Sequence, residues 1–298
     1  MSFYETTLLE LVEMVCRLGL PREYFQHGTA TGGSTSTFVD LNRKEPADYF
    51  QNTSPPSRVR IVWTADMAAP KGEEREITDW SATGAGGTFD PVMTAVVGDG
   101  DKYIILHDFE WDEVVAAIND AINRAGKSML VEAVSETQRI QSDTYEYVVP
   151  TGFTHIYRIS QEDSNGDFPT PINPSHYKII RGLENPKIHF YRMLSTEQPA
   201  GIAYGELWIQ GSLSDGQILR IEGFKKQDNL EFEEDKCYID PSYVWRQATA
   251  TLRASRSRSS ANDPDAHGVQ AQRLAQEAGQ ILMLGKTQFP PNTKKVRT

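Results

Sequence analysis

The sequence predicts a mixed α+β fold, a helical body that carries a small β domain and a larger antiparallel β-sandwich or jelly-roll-like domain. Three observations predict it. Short runs alternate apolar and polar residues and are broken by Gly, Pro, Asn or Asp, as where Val59, Ile61 and Trp63 flank Arg60 and Val62; period two marks half-buried strands joined by turns. Apolar residues at helical spacing follow capping signals near the start, middle and end of the chain, which places helices there. Strands and helices do not alternate one for one, which argues against a doubly wound nucleotide-binding sheet. Three consecutive parts are expected: residues 1–127 (first helix, small β region, central helix), 128–236 (sandwich) and 237–298 (C-terminal helices and an extended basic tail).

Taken in order, Thr7-Leu8-Leu9-Glu10 has the form of a capping box, with hydroxyl and carboxylate each reaching the other residue's amide. Leu8, Leu11, Val12, Val15 and Cys16 then make one apolar face, and Gly19 and Pro21 end the helix. Residues 27–37 (HGTATGGSTST) are small and polar and read as a long loop or mobile arm. Strands are expected near 59–63, 71–80, 88–97 and 102–107, with Gly98-Asp99-Gly100 as a turn. Asp108 is the expected N-cap of a helix with Trp111, Val114, Val115, Ile118, Ala121, Ile122 and Ala125 on one face, ended by Gly126.

A second β pattern follows at 129–134, 145–159, 177–181, 187–192, 205–211 and 217–224. Asp240-Pro241 starts a helix over 243–257. Arg253, Arg256 and Arg258, mixed with serines, read as a basic connector, and Asp263-Pro264 repeats the start signal. In the last helix Ala271, Leu274, Ala275, Ala278, Ile281 and Leu282 form a narrow stripe suited to close packing on another helix. Beyond Gly285 the segment 286–298 (KTQFPPNTKKVRT) is basic, with Pro290-Pro291 holding it extended.

The 298 residues, 39% of them hydrophobic, suffice for about two domains. Apolar runs are too short for a membrane span, and the N-terminal stretch has acids where a signal peptide has bases, so neither insertion nor export is expected. Cys16 and Cys237 stand far apart and read as free thiols made in a reducing compartment. The net charge of −11 argues against a nucleic-acid surface spread over the whole chain, yet residues 241–298 carry nine Lys and Arg against three Asp and Glu. That leaves −17 on residues 1–240, an acidic body and a basic end that complement each other between copies.

Chemistry is sparse. Gly84-Ala85-Gly86-Gly87 is followed by a strand pattern and no Gly-Lys-Ser/Thr, so it reads as a hairpin turn and not a phosphate loop. Asp163, Asn165 and Asp167 have calcium-loop spacing, but Phe168 replaces the required glycine and Pro174 stands at the bidentate position; a polar turn is expected. The six histidines show no i+3 or i+4 pairing, neither cysteine lies in a nucleophile motif, and Glu231, Glu233, Glu234 and Asp235 read as a solvated acidic loop, with a glycosidase pair as the alternative. No catalytic residue, metal or cofactor is expected.

Residues 48–126 combine a DYF start, strands around RVRIVW, the segment APKGEEREITDWSATGAGGTFDP, the strand GDGDKYIIL and the helix WDEVVAAINDAINRA. This order resembles a recurring segment of virion proteins from tailed bacteriophages, of the head-to-tail connector or adaptor kind at the neck. The helix DAHGVQAQRLAQEAGQILM and the tail FPPNTKKVR are similar to the same proteins. The resemblance implies a non-enzymatic subunit of the virion, made in the host cytoplasm and assembled as a ring of about 6 or 12 copies. Its partners would be the portal protein and tail or other neck proteins, with genome DNA passing through without sequence-specific binding and no membrane involved. Phe289, Pro290, Pro291, Lys294, Lys295 and Arg297, with Arg253, Arg256 and Arg258, are then the expected docking residues, and removing 286–298 is expected to leave a folded monomer. The rival is a carbohydrate-binding tail-tip or fibre-associated protein with Tyr145, Tyr147, Tyr157, Tyr204 and Trp208 as a sugar platform.

Overall fold

A computed structural model describes residues 4–21, 24–51, 56–82, 86–141, 144–163, 165–169, 171–181, 185–191, 216–257 and 266–296. The fold is mixed α+β, with helices and several antiparallel sheets. Two compact units form, one from residues 1–125 and 228–284, the other from 126–227 and 285–298. The segment 237–298, expected to stand as one piece, is instead shared between the units.

The first unit opens with strand β1 (Thr6–Thr7) and helix α1 (Leu8–Met14). Thr7 Oγ1 accepts the Glu10 amide at 3.3 Å, and the Glu10 carboxylate accepts the Thr7 amide at 2.9 Å, the reciprocal cap expected from the spacing. Leu8, Leu11, Val12, Val15 and Cys16 are all buried, and the helix closes in a π-helical turn at Val15–Gly19.

Six strands then close a barrel in the order β2-β3-β6-β5-β4-β7, with β7 pairing back onto β2. They are β2 (Phe25–Gly33), β3 (Thr37–Val39), β4 (Arg58–Trp63), β5 (Glu74–Ser81), β6 (Gly86–Asp90) and β7 (Asp99–Leu106). The predicted loop at 27–37 is therefore β2 and the start of β3. Its glycines serve clearance: a Cβ on Gly28 would stand 2.4 Å from Tyr103 Oη and 2.7 Å from an Asp40 carboxylate oxygen. Likewise Gly86 and Gly87 lie in β6, where a Cβ on Gly87 would meet the Phe38 ring at 2.6 Å; Gly84 and Ala85 fall outside the described residues. A bulge between Ile77 and Asp79 lets both Ile77 and Trp80 turn into the core. The expected strand over 88–97 stops at Asp90, because Pro91 has no amide for a ladder. Phe38, Trp80, Phe89, Tyr103, Val59 and Ile61 fill the interior.

Helix α2 (Trp111–Ala125) buries the predicted face apart from Val115, and Ala117 adds to it. Asp108 does not cap it. The residue has positive φ (66°), and the Glu113 carboxylate takes the Glu110 amide at 3.3 Å.

The second unit holds β8 (Val131–Arg139), β9 (Glu146–Val148), β10 (Phe153–Gln161), β11 (Tyr177–Ile180), β12 (Lys187–Phe190) and β13 (Ile218–Lys225). The sheet β11-β12-β9 and the sheet of β10, β13 and β8 line one core, to which Tyr147, Tyr177, Ile188 and Phe190 come from the first and Ile156, Ile159, Leu219 and Ile221 from the second. The strand expected at 205–211 lies outside the described residues. The predicted polar turn forms, with the Asp163 carboxylate accepting the amides of Asn165 and Asp167 at 2.8 and 2.9 Å.

Back in the first unit, β14 (Lys236–Cys237) pairs with β1, and helices α3 (Pro241–Arg256) and α4 (His267–Leu284) follow. Asp240 caps α3 by accepting the Ser242 amide at 2.8 Å, and α3 packs against α1, α2 and α4. The acidic loop is paired, not free: Glu233 bonds Arg60 at 2.6 Å, Glu234 bonds Lys71, and Asp235 accepts the amides of Glu231 and Phe232. Segment 285–298 returns to the second unit, where β15 (Lys294–Lys295) adds to the edge of β10. Among the described residues no helix is long and apolar enough to cross a membrane.

Candidate functional site

The predicted docking residues fall into two groups. Arg253 is buried, its Nε donating to the Gly19 carbonyl at 2.8 Å. Arg256 donates to the Asp108 carbonyl at 2.6 Å and to Glu113 at 2.8 Å, with its guanidinium 4.7 Å from the centre of the Phe109 ring. Both arginines thus hold α3 inside the first unit. Arg258 and Arg297 lie outside the described residues.

The other group cradles segment 287–296 on the second unit. Thr287 donates its amide to Ser128 O at 2.9 Å, and Phe289 stacks on His155 at 4.2 Å and meets Phe224 edge-on at 5.4 Å. Pro290-Pro291 does not extend the chain; it begins a turn in which Thr293 N reaches Pro290 O at 3.3 Å and Asn292 takes positive φ (66°), a conformation that proline followed by asparagine favours. Lys294 donates to the carbonyls of Pro174, at 2.6 Å, and Tyr177, with its ammonium 4.4 Å from the centre of the Tyr177 ring. Burial holds the Lys294 pKa below the usual lysine range. Lys295 is exposed and its carbonyl accepts Arg181 Nε at 2.7 Å, whereas Val296 is buried in the core. The side chains therefore alternate pocket, solvent, pocket.

Helix α4 is the least covered helix for its length. Of its 18 residues His267, Ala271 and Ala278 are buried. Leu274, Ile281 and Leu282 are half-covered, and Val269, Met283 and Leu284 are 69, 74 and 89% exposed. Arg246 of α3 reaches Glu277 at 3.2 Å, and Arg273 reaches the same carboxylate at 3.0 Å, fixing the pair's register. Of the predicted stripe, Ala271 and Ala278 are buried, Leu274, Ile281 and Leu282 are half-covered and Ala275 is exposed, and the uncovered Val269, Met283 and Leu284 lie outside it.

The barrel assembles a polar cluster that no sequence motif signals. Tyr103 donates to Asp40 at 2.7 Å, and Arg43 donates to Tyr103 Oη at 2.6 Å, to Glu45 at 2.9 Å, to Gln26, and to the His27 carbonyl at 3.0 Å. Burial, first of all, pushes the Tyr103 hydroxyl pKa upward. Barrel closure brings these groups together from three separate stretches of chain, so spacing carries no trace of them. Beside the cluster, the start of β2, the end of β7 and the residues before β4 border a cavity of about 250 Å³ lined by Tyr24, Gln26, Tyr49, Phe50, Ser57 and His107. Ser57 Oγ and His107 Nδ1 share a hydrogen bond of 3.2 Å, and Tyr24 stacks on His107 at 5.7 Å. The cavity's size is near the lower end of ligand sites, which run from about 300 to 1,000 Å³. Among the described residues no cluster of three or more His, Cys, Asp or Glu is placed to hold a metal.

The sugar-platform aromatics separate. Tyr147 faces the core and Tyr157 packs on Phe224. Tyr145 and Tyr191 are exposed on either side of the half-buried His189, at 6.4 and 6.1 Å from its ring; Tyr204 and Trp208 lie outside the described residues. No protein-family model matches the chain, and no curated protein matches it.

Proposed function

We propose that this chain is a structural protein of a tailed-phage virion, a neck or adaptor subunit that assembles as a homo-oligomeric ring at the head-to-tail interface. In this reading the packed helices α1 to α4 are the body of each subunit, and portal, tail or other neck proteins are its partners. The observation offered for it is the end of α4, where Met283 and Leu284 are adjacent and uncovered, an apolar surface available to a protein partner. Docking is accordingly assigned to α4 and not to Arg253 and Arg256, which are engaged within their own unit. The acidic excess over residues 1–240 supports passage of DNA without adhesion, since like charges repel phosphates. The role is scaffolding, without catalysis or a cofactor.

Labelling this chain in native particles tests the proposal: the label is expected at the head vertex, and a label at the distal tail end overturns it. The exposed Tyr145 and Tyr191 beside the half-buried His189 are the observation favouring the glycan-binding reading, and a glycan array without hits removes that reading.

A further inference from the structure

We propose that Arg181, Lys295 and His155 form a binding site for a phosphate group, free or as a monoester, at the outer edge of the second unit. The chain as a whole has a net charge of −11, yet positive charge gathers here. Arg181, just beyond β11, donates its Nε to the Lys295 carbonyl at 2.7 Å, which brings the guanidinium to β15. Lys295 lies opposite His155 where β15 pairs with β10. Both cations are exposed, and among the described residues neither forms an ion pair. The adjoining Lys294 fills a socket made by the carbonyls of Pro174 and Tyr177, which supply dipoles and no negative charge. The rest of the Arg181 fork is unengaged among the described residues and suits two oxygens of one anion.

The imidazole decides which anion fits. Thr154 Oγ1 donates to the Phe224 carbonyl at 3.0 Å, so its contact with His155 Nδ1 at 3.1 Å requires Nδ1 to carry the proton. In the neutral ring Nε2 then holds a lone pair, without a hydrogen-bond partner among the described residues. Lys295 and Arg181 are the charges that bear on this ring; Thr154, its strand partner Phe224 and the stacked Phe289 are uncharged. A carboxylate near neutral pH sets only lone pairs against Nε2. A phosphate monoester loses its second proton at about pH 6, in the same range as an imidazole, so ring and ligand can share one proton. Either the ligand O–H donates to Nε2 or the imidazolium donates to a phosphate oxygen, with the same total charge. Donors that converge from β10, from β15 and from the end of β11 also match a tetrahedral oxyanion better than a planar carboxylate. The site stands independently of the assembly reading.

Nuclear magnetic resonance of the full chain tests it, with sodium phosphate titrated against sodium chloride at equal ionic strength. At about pH 7 phosphate is expected to shift the Arg181 and Lys295 amide signals and the His155 ring signals saturably, and chloride is not. Arg181→Ala and Lys295→Ala should each weaken binding about two- to fivefold, the range for exposed charge pairs. Both side chains are exposed, so neither change empties a core. Lys286→Ala, which removes an exposed charge outside the site, should leave binding unchanged; equal weakening by all three variants overturns the site. Affinity should fall about threefold or more from about pH 7 to about pH 8.5 as the shared proton is lost, and should not in His155→Phe. Equal pH profiles in the two proteins overturn the role of the ring and with it the choice of phosphate. Inorganic phosphate and a nucleoside monophosphate separate the two sources, the tighter binder being the ligand class. Polyglutamate and an oligothymidylate without a terminal phosphate, matched in charge, should bind more weakly; if either equals the monoester, the phosphate site is overturned.

Discussion

Tyr103 carries a hydroxyl into the barrel, where Asp40 and Arg43 engage it. Gly28 gives that ring its room. Gly28→Ala puts a methyl group within 2.4 Å of Tyr103 Oη, and overpacking a filled interior costs about 1–3 kcal/mol; a denaturant midpoint unchanged from the parent chain would refute the close fit. His155 gives a second test. Its pKa lies below the ordinary 6.5, through burial first and then the charges of Lys295 and Arg181. The cradled state therefore holds its proton less tightly than the released one. Its contribution is full above pH 6.5 and is lost as pH falls through the depressed value. Tryptic cleavage after Lys286, scaled at each pH to cleavage of an unstructured peptide, should speed up from about pH 7 to about pH 5 and should not in His155→Phe; equal scaled pH profiles for the two proteins would exclude the linkage. At this scale the sequence was legible wherever partners are neighbours in the chain, as in the caps at Thr7 and Asp240. It was opaque for Arg43, whose partner Tyr103 lies 60 residues away.

Among elements, helices were the most legible, because their periodicity records a buried face directly. α2 buries Ile118 completely, so Ile118→Asp should unfold the first unit by more than about 3 kcal/mol, an unpaired charge in a core. Asn123, exposed and bonded to Asn229 at 3.1 Å, should tolerate alanine within about 1 kcal/mol. Circular-dichroism melts of the two variants that fall together would contradict the assigned face. Strands were less legible. β2 looked like a loop because glycine and threonine replace the usual branched apolar residues where Tyr103 and Asp40 crowd the backbone. The segment 286–298 looked detachable because its charges and prolines suggest solvent, yet Val296 is in the core. Deleting it is now expected to destabilise the second unit by about 2–4 kcal/mol, as a buried apolar side chain, a lysine socket and an edge strand go together. Retention of the parent's amide-exchange protection in β10 would disprove that.

For the molecule as a whole, charge asymmetry could be read from the sequence, but its use could not. Several of the basic residues near the C-terminal end turned out to be engaged within their own unit, and uncovered apolar surface remained on α4. Met283→Asp with Leu284→Asp should leave the thermal midpoint within about 2 °C, since both side chains already face solvent, while abolishing association in sedimentation at high concentration. Association unaffected by the pair would take α4 out of the assembly.

The chain passes between its two units three times, near residues 125, 227 and 284, and this has a consequence during synthesis. Domains that are continuous in sequence fold one after another as they emerge. Here the first unit waits for α3 and α4, and the second waits for Val296 after both. A chain whose synthesis stops anywhere short of that valine has at least one unit unfinished, so a damaged message yields products that lack a complete core. In the ring proposed above, such products would make defective subunits, since each copy must contact its neighbours.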